Sequence, residues 1–458
     1  MRTLALLLCL VGCGNVRSDP PDGGDDDVDS GGGDIDSGTT DDAPSTDAPT
    51  SGVATVQVQL AGVATGGLKV NFQEADGSLI SEADTDTSGT ATGTIHANAM
   101  VTIAVGPRAL VTITGVNPGE TITLRTPPPF DNSSAGTVTF SAATEAPSKS
   151  FYRVDLGNDV YSTFVTMTSG TRSLSLSRGN LDGNGRFNLY AGTYDTGNRL
   201  ISYTFSNNIV PNASGTTAVS LPNNWRTDLN EFVLSVNGAP TAATQLRGTT
   251  WSETANLQFA PNDFGTSITP LSAAINGGNA SVNQRYPGSF GDFVQTVADV
   301  TFGTTRESAS FWRRVARPAG AFTIAANNFP ARIGTPALDK TVPTRPVASW
   351  TVTGSTVNGD ATIIDLGWRD ASNLAYEWLV YAPPATTSFA IPAVSSSLTA
   401  QAPGQSTYNM LRVTQANLDP VGGYASFHLA PVRADGDTYP IPVGFTAWAY
   451  DSNYTTTP

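Results

Sequence analysis

Ala54–Leu60 reads ATVQVQL, and Leu68–Phe72 reads LKVNF. In the first, Val56, Val58 and Leu60 fall on one side, with Gln57 and Gln59 on the other. A period of two marks a half-buried β-strand, because successive side chains of an extended chain point to opposite faces. The alternation returns in Thr92–His96, Met100–Val105, Leu110–Thr114 and Thr121–Leu124. Turns fall between these runs at Asp76-Gly77, Asp86-Thr87-Ser88-Gly89 and Asn117-Pro118-Gly119. Short strands at this spacing, punctuated by Gly, Asp and Pro, predict an antiparallel sandwich.

The same texture runs on to the end. Strands are predicted at Thr137–Ser141, Phe151–Leu156, Tyr161–Thr168, Ser173–Ser177, Arg186–Ala191, Leu200–Phe205, Thr217–Leu221, Glu231–Val236, Asn256–Phe259, Val294–Phe302 and Ala321–Ala326. Further candidates are Arg345–Thr353, Thr362–Trp368, Tyr376–Tyr381, Ser388–Ile391 and Met410–Thr414. Helical periodicity never persists. The expectation is an all-β chain of tandem antiparallel β-sandwich domains, Ig-like or prealbumin-like, with a larger β-sandwich or jelly roll for the middle part. A small propeller is the alternative, and the lack of a repeat of about 40–50 residues counts against it. The predicted divisions are 52–147, 148–338 and 339–458.

Two of these parts resemble known modules. VNFQEADGSLISEADTDTSGTATGTI (Val70–Ile95) is similar to carboxypeptidase regulatory-like and related bacterial Ig-like sandwiches, with Thr85, Asp86 and Gly89 at the places of their T-D-x-x-G pattern. Such modules are spacers or binding platforms. Pro346 and Trp350, then Tyr376–Tyr381 and Thr387–Pro392, resemble a fibronectin type III-like module, although the spacing between the Trp and Tyr strands is stretched.

The beginning of the chain has a different logic. Met1-Arg2 is a short positive segment, and Thr3–Val11 is an apolar run too short to span a bilayer, which takes about 20 residues. Leu10-Val11-Gly12-Cys13 resembles the lipobox of bacterial lipoproteins. The resemblance implies a signal peptide over 1–12, cleavage before Cys13, a diacylglycerol thioether on Cys13 and acylation of the new amino terminus. One acyl chain binds membranes only reversibly, whereas two or more anchor stably. Gly14 rather than Asp after the Cys leans toward the outer membrane, on either its surface or its periplasmic face. Residues 14–51 hold eleven Asp and one Arg among Gly, Ser, Thr and Pro. Low hydrophobicity and one-signed charge predict a disordered tether over 13–51, with a span of about 35 Å. Weak Ca²⁺ binding by Asp25-Asp26-Asp27 is the lesser reading, since unstructured acids are not preorganised.

Composition narrows the chemistry. The net charge is −15, of which about −10 lies in the tether, so the body is only mildly acidic. Nucleic-acid binding, which needs a basic footprint, is not expected. Cys9 and Cys13 are the only cysteines, so the exported body has no thiol for a disulfide, a metal or nucleophilic attack.

Candidate sites are few. Phe311-Trp312-Arg313-Arg314, with Arg306 and Arg317 nearby, is the densest basic-aromatic run and the candidate ligand site. Trp312, Arg313 and Arg314 offer stacking and charge to a polysaccharide, to lipid-borne phosphate or to the acidic tether. Strand alternation, however, puts Trp312 and Arg313 on opposite faces, and the plainer reading is a core Trp with snorkelling Arg. Asn180, Asp182 and Asn184 stand at alternate positions with Gly185 sixth, a partial Ca²⁺ loop. Arg186 in the seventh place and Ala191 in the twelfth favour a plain hairpin. His96 and His428 sit in separate alternating runs and form no pair. Glu231 and Glu377 lie beside aromatics, as glycosidase carboxylates can. No catalytic motif and no cofactor motif stands out. The expectation is a lipid-anchored cell-envelope protein with a binding or adhesion role toward polysaccharide or another envelope protein. A structural spacer without a soluble ligand and a secreted-type hydrolase are the alternatives.

Overall fold

The computed structural model describes residues 51–60, 63–126, 133–141, 151–157, 162–167, 170–197, 199–213, 215–220, 224–254, 257–259, 271–357, 359–404, 407–419, 421–431 and 447–456. Cys13, the acidic tether and the expected boundary at 147 lie outside them.

The described residues are nearly all strand. One 13-stranded sheet orders Leu257–Phe259, Ala243–Thr254, Phe293–Phe302, Thr304–Ala316, Ala447–Thr455, Thr407–Asp419, Ala361–Arg369, Ala375–Ala382, Ala109–Val116, Ala99–Gly106, Lys69–Gln73 and Leu79–Asp84, with Leu271–Ala274 beside Ala243–Thr254. This sheet draws strands from all three predicted parts of the chain. Pairing is mostly antiparallel, and among the described residues four joins are parallel. One of them sets Leu110 opposite Trp378, so the 109–116 strand of the first part meets the 375–382 strand of the last.

Smaller sheets pack on this long one. Gly52–Leu60, Thr90–Ile95 and Thr121–Thr126 cover one face, where Val56, Val58, Ile95 and Leu124 bury against Phe72, Ile103, Ile113, Leu379 and Leu418. On the opposite face, Trp350, Phe389 and Leu398 bury against Ile364, Trp368, Trp378 and Leu411. The 361–369 strand is therefore enclosed on both sides, and its adjacent Ile363 and Ile364 serve two different cores. Further along, Leu229–Asn237, Asn279–Pro287 and Phe322–Ala325 form a facing sheet whose Phe232 and Leu234 meet Leu246, Val300 and Phe311. A separate sandwich joins Val138, Phe140 and Leu176 to Tyr152, Val154 and Leu189.

The turn chemistry explains the T-D-x-x-G resemblance. Asp86 Oδ1 accepts from the N–H groups of Ser88 at 2.8 Å and Thr90 at 2.9 Å. Gly89 lies at φ 76°, and a Cβ there would come within 2.5 Å of the Val58 carbonyl oxygen. Thr85 Oγ1 accepts from Leu68 N and donates to Thr65 O, tying two loops together. Asp182, Asp195 and Asp370 repeat the Asp arrangement, each accepting from the N–H groups two and four residues on. A short acceptor side chain at a hairpin entrance replaces backbone bonds that the turn cannot make.

Four long strands escaped the list read from the sequence: Ala243–Thr254, Asn279–Pro287, Thr304–Ala316 and Ala447–Thr455. The first buries small residues rather than an apolar stripe. Gly248 sits on its inner side, where a Cβ would meet Gln284 Nε2 at 2.3 Å and Leu234 Cδ2 at 2.5 Å. Close packing against the facing sheet requires the glycine, and a glycine erases the periodic signal.

Candidate functional site

Strand register brings a polar and aromatic set onto one face of the long sheet. Gln295 lies opposite Arg314, Val297 opposite Trp312, and Asp299 between Arg247 and Ser310, with Tyr450 next to Ser310 on the following strand. Backbone register puts Trp251 in the row of Gln295 and Trp448 in the row of Trp312. The other face of these strands is the apolar one, carrying Val294, Ala298, Val300 and Phe311 into the core.

The groups on the polar face are held differently. Ser310 Oγ donates to Asp299 Oδ1 at 2.5 Å. Burial pushes the Asp299 carboxyl above its ordinary range, against the pull of that hydroxyl and of Arg247. The Arg314 guanidinium lies 3.9 Å from the centre of the Phe293 ring. Gln295 is 1% exposed, and its amide oxygen and nitrogen have no hydrogen-bond partner among the described residues. An orphaned buried amide costs about 1–3 kcal/mol per group, so such a group is normally satisfied by something. The face carries the Gln295 amide, the Asp299 carboxyl with its Ser310 hydroxyl and the edge of a buried indole. That set suits a ligand of mixed donors and acceptors with apolar surfaces between them.

The expected triplet is split by the strand. Trp312, 4% exposed, and Arg314 share this face. Arg313 points the other way, donating to Ala321 O at 2.7 Å and Gly320 O at 2.8 Å and lying over Phe322. Arg317 clamps the loop before the 293–302 strand by donating to the carbonyls of Pro287, Gly288 and Gly291. The side chain of Arg306 lies outside the described residues. Gln295 and Asp299 carried a faint sequence signal, since in FVQTVADVTF they alternate with Val294, Ala298 and Val300.

The remaining candidates are placed elsewhere. Asp182 Oδ1 is engaged by the N–H groups of Asn184 and Arg186, Asn180 is buried and accepts from Ser177 N, and Asn184 is exposed. This is a hairpin turn, and no cluster of three His, Cys, Asp or Glu that could hold a metal occurs among the described residues. His96 pairs with Glu74 at 2.8 Å on the surface. His428 is buried, with Nδ1 2.8 Å from Tyr424 O and Nε2 2.9 Å from Glu120 Oε2, so it locks the 424–427 turn to the first sandwich. Glu231 pairs with Arg285, and Glu377 lies on a different sheet. Trp350, Trp368 and Trp378 are core residues.

Fold and site together define an all-β protein of packed sandwiches with one polar face inside a shared sheet. No known family model and no curated protein matches the chain. Among solved structures it is similar to the Bacillus anthracis TIE protein at 10% identity and TM-score 0.16, covering 60% of this chain and half of that one. A streptococcal ancillary pilin aligns at 8% identity and TM-score 0.15, over 60% of this chain and 99% of that one. The FN1–FN3 domains of chicken CNTN1 align at 9% identity and TM-score 0.14, over 62% and 94%. At these scores the fold stands on the strand pairing described above.

Proposed function

We propose that this is a lipid-anchored protein of the bacterial cell envelope, attached through Cys13, whose body binds an envelope or environmental polysaccharide. The orphaned Gln295 amide carries the binding part of the reading. It lies beside Asp299, Ser310, Trp312 and Arg314 on a face where apolar packing would be the cheaper solution. A sugar presents hydroxyl donors and acceptors around an apolar ring, which matches that set. Another envelope protein is the alternative ligand. Exposed large apolar residues, Val53, Val63, Val210, Val342 and Val357 among them, are scattered along the chain, which gives little support to a purely structural spacer.

Two measurements test the two halves. Cys13→Ala is expected to move the protein from the detergent phase to the aqueous phase, and full retention in detergent would refute the anchor. Retention of the body on immobilised envelope polysaccharide is expected to fall at least tenfold in Gln295→Ala and in Arg314→Ala, with Ser220→Ala as the unaffected control. Equal retention by all three would sink the binding face.

A further inference from the structure

The strand Ala447–Thr455 is the seam of the long sheet. It pairs antiparallel with residues 307–313 on one side and 411–419 on the other. Without it, the 304–316 and 407–419 strands would present two open edges, and an unpaired edge is a template for another strand. Residues 432–446 join it to the segment ending at Pro431, and fully extended they reach roughly 50 Å.

The strand is also poorly suited to a central position. Asp451 is fully buried between Ala309 and Gln415. Its Oδ1 accepts from Ile333 N at 2.8 Å, and its Oδ2 has no hydrogen-bond partner among the described residues. The charged groups facing it are Glu307 of the 304–316 strand and Arg332 of Arg332–Ile333, and these are engaged with each other. On the 407–419 side, Gln415 donates its amide to Ala361 O and accepts from Thr362. A carboxylate without full compensation is costly at such a depth and is relieved when the strand leaves for water.

We infer that Ala447–Thr455 is an exchangeable strand, which leaves the slot between the 304–316 and 407–419 strands and is replaced there by the same strand of a second copy of this chain. The identical strand restores every pairing, including Ser308 with Ser452 and Gln415 with Asp451, so the exchanged slot needs no new contacts.

The test uses the register and the scarcity of thiols. In full chains with Cys9 and Cys13 replaced by Ala, one population carries Ser308→Cys and the other Ser452→Cys. Opposed Cα atoms in an antiparallel pair lie about 4.5–5.5 Å apart, within disulfide reach. After mixing and mild oxidation, a reducible heterodimer is expected at least tenfold above that of a control pair, Ser308→Cys with Ser220→Cys. A yield no greater than the control overturns the inference. One chain carrying both Ser308→Cys and Ser452→Cys is expected to close its own disulfide and stay monomeric. Failure to close it would overturn the slot itself. Asp451→Asn in both populations is expected to slow heterodimer formation about tenfold, because the neutral amide no longer favours departure of the strand. An unchanged rate overturns the role given to the carboxylate.

Discussion

Trp378 Nε1 donates a hydrogen bond to Thr112 Oγ1 at 2.8 Å, and the two residues are 266 positions apart. The bond heads a relay. Thr112 Oγ1 lies 2.8 Å from Thr102 Oγ1, Thr102 donates to Gln73 Oε1 at 3.1 Å, and Gln73 Nε2 donates to Ala393 O at 2.9 Å. Asn71 continues the row by exchanging bonds with Ser395. All of these residues but the half-buried Ala393 are buried, so the relay satisfies in protein what would otherwise be satisfied by water. It welds the first sandwich to the last third of the chain.

Thr112→Val keeps the shape and removes the hydroxyl. The Trp378 N–H is then buried without an acceptor, at a cost of about 1–3 kcal/mol. Urea unfolding should show that loss with an unchanged slope. A difference below about 0.5 kcal/mol, the scatter of ordinary surface changes, would mean that the relay does not stabilise the junction.

Two glycines separate backbone strain from crowding. Gly89 and Gly119 lie at φ 76° and 88°, but a Cβ at Gly119 meets nothing within 4 Å. Gly119→Ala is expected to cost about 1 kcal/mol from left-handed backbone alone. Gly89→Ala, with its Cβ against Val58 O, should cost at least about twice as much, since overpacking typically adds 1–3 kcal/mol. Equal thermal shifts in the two variants would contradict the contact.

Burial holds the Asp451 carboxyl well above its ordinary value of 3.8, with Glu307 adding to the shift and the Ile333 N–H and Arg332 opposing it. A raised value in the folded state means that its favourable contribution is complete below 3.8 and is lost as pH rises through the folded value. Asp451→Asn should therefore melt higher than the natural chain at neutral pH, and the gap should close in acid. A gap that is constant with pH would show that the carboxyl is not penalised.

Glu82 behaves in the opposite sense. Hydroxyls of Ser395 and Ser397, together with Lys69, hold its carboxyl down to about 2. Its contribution is present above the ordinary value of 4.5 and is lost as pH falls toward about 2. Glu82→Gln is expected to cost about 1 kcal/mol at neutral pH and to match the natural chain near the lower end of that window. Parallel stability curves for the two proteins across acid pH would refute the assignment.

Much of the local structure was legible in the residues. Period-two runs located most strands, because alternation follows from the geometry of any extended chain packed on one side. The turns at Asp86 and Asp182 were legible because their Asp-x-x-Gly spacing lets one carboxylate oxygen do the same work at each. Even the split of Trp312 from Arg313 followed from alternation. Asn71, Gln73, Thr102 and Thr112 were another matter. They look like the solvent side of their strands, and so do Gln295 and Asp299, whose weak alternation points to no ligand. His428 lies 308 positions from the Glu120 that holds it.

By itself, then, the sequence determined the all-β class, the strand alternation and the turns, since these depend on sterics and hydrogen bonds within a few residues. Only the tertiary structure decided which edges meet: the 109–116 strand beside 375–382, and Ala447–Thr455 between strands that precede it by different lengths of chain. Backbone pairing is nearly indifferent to residue type. The choice among edges is made by which faces can bury together once the loops are closed, and that cost and gain are not written in any single stretch.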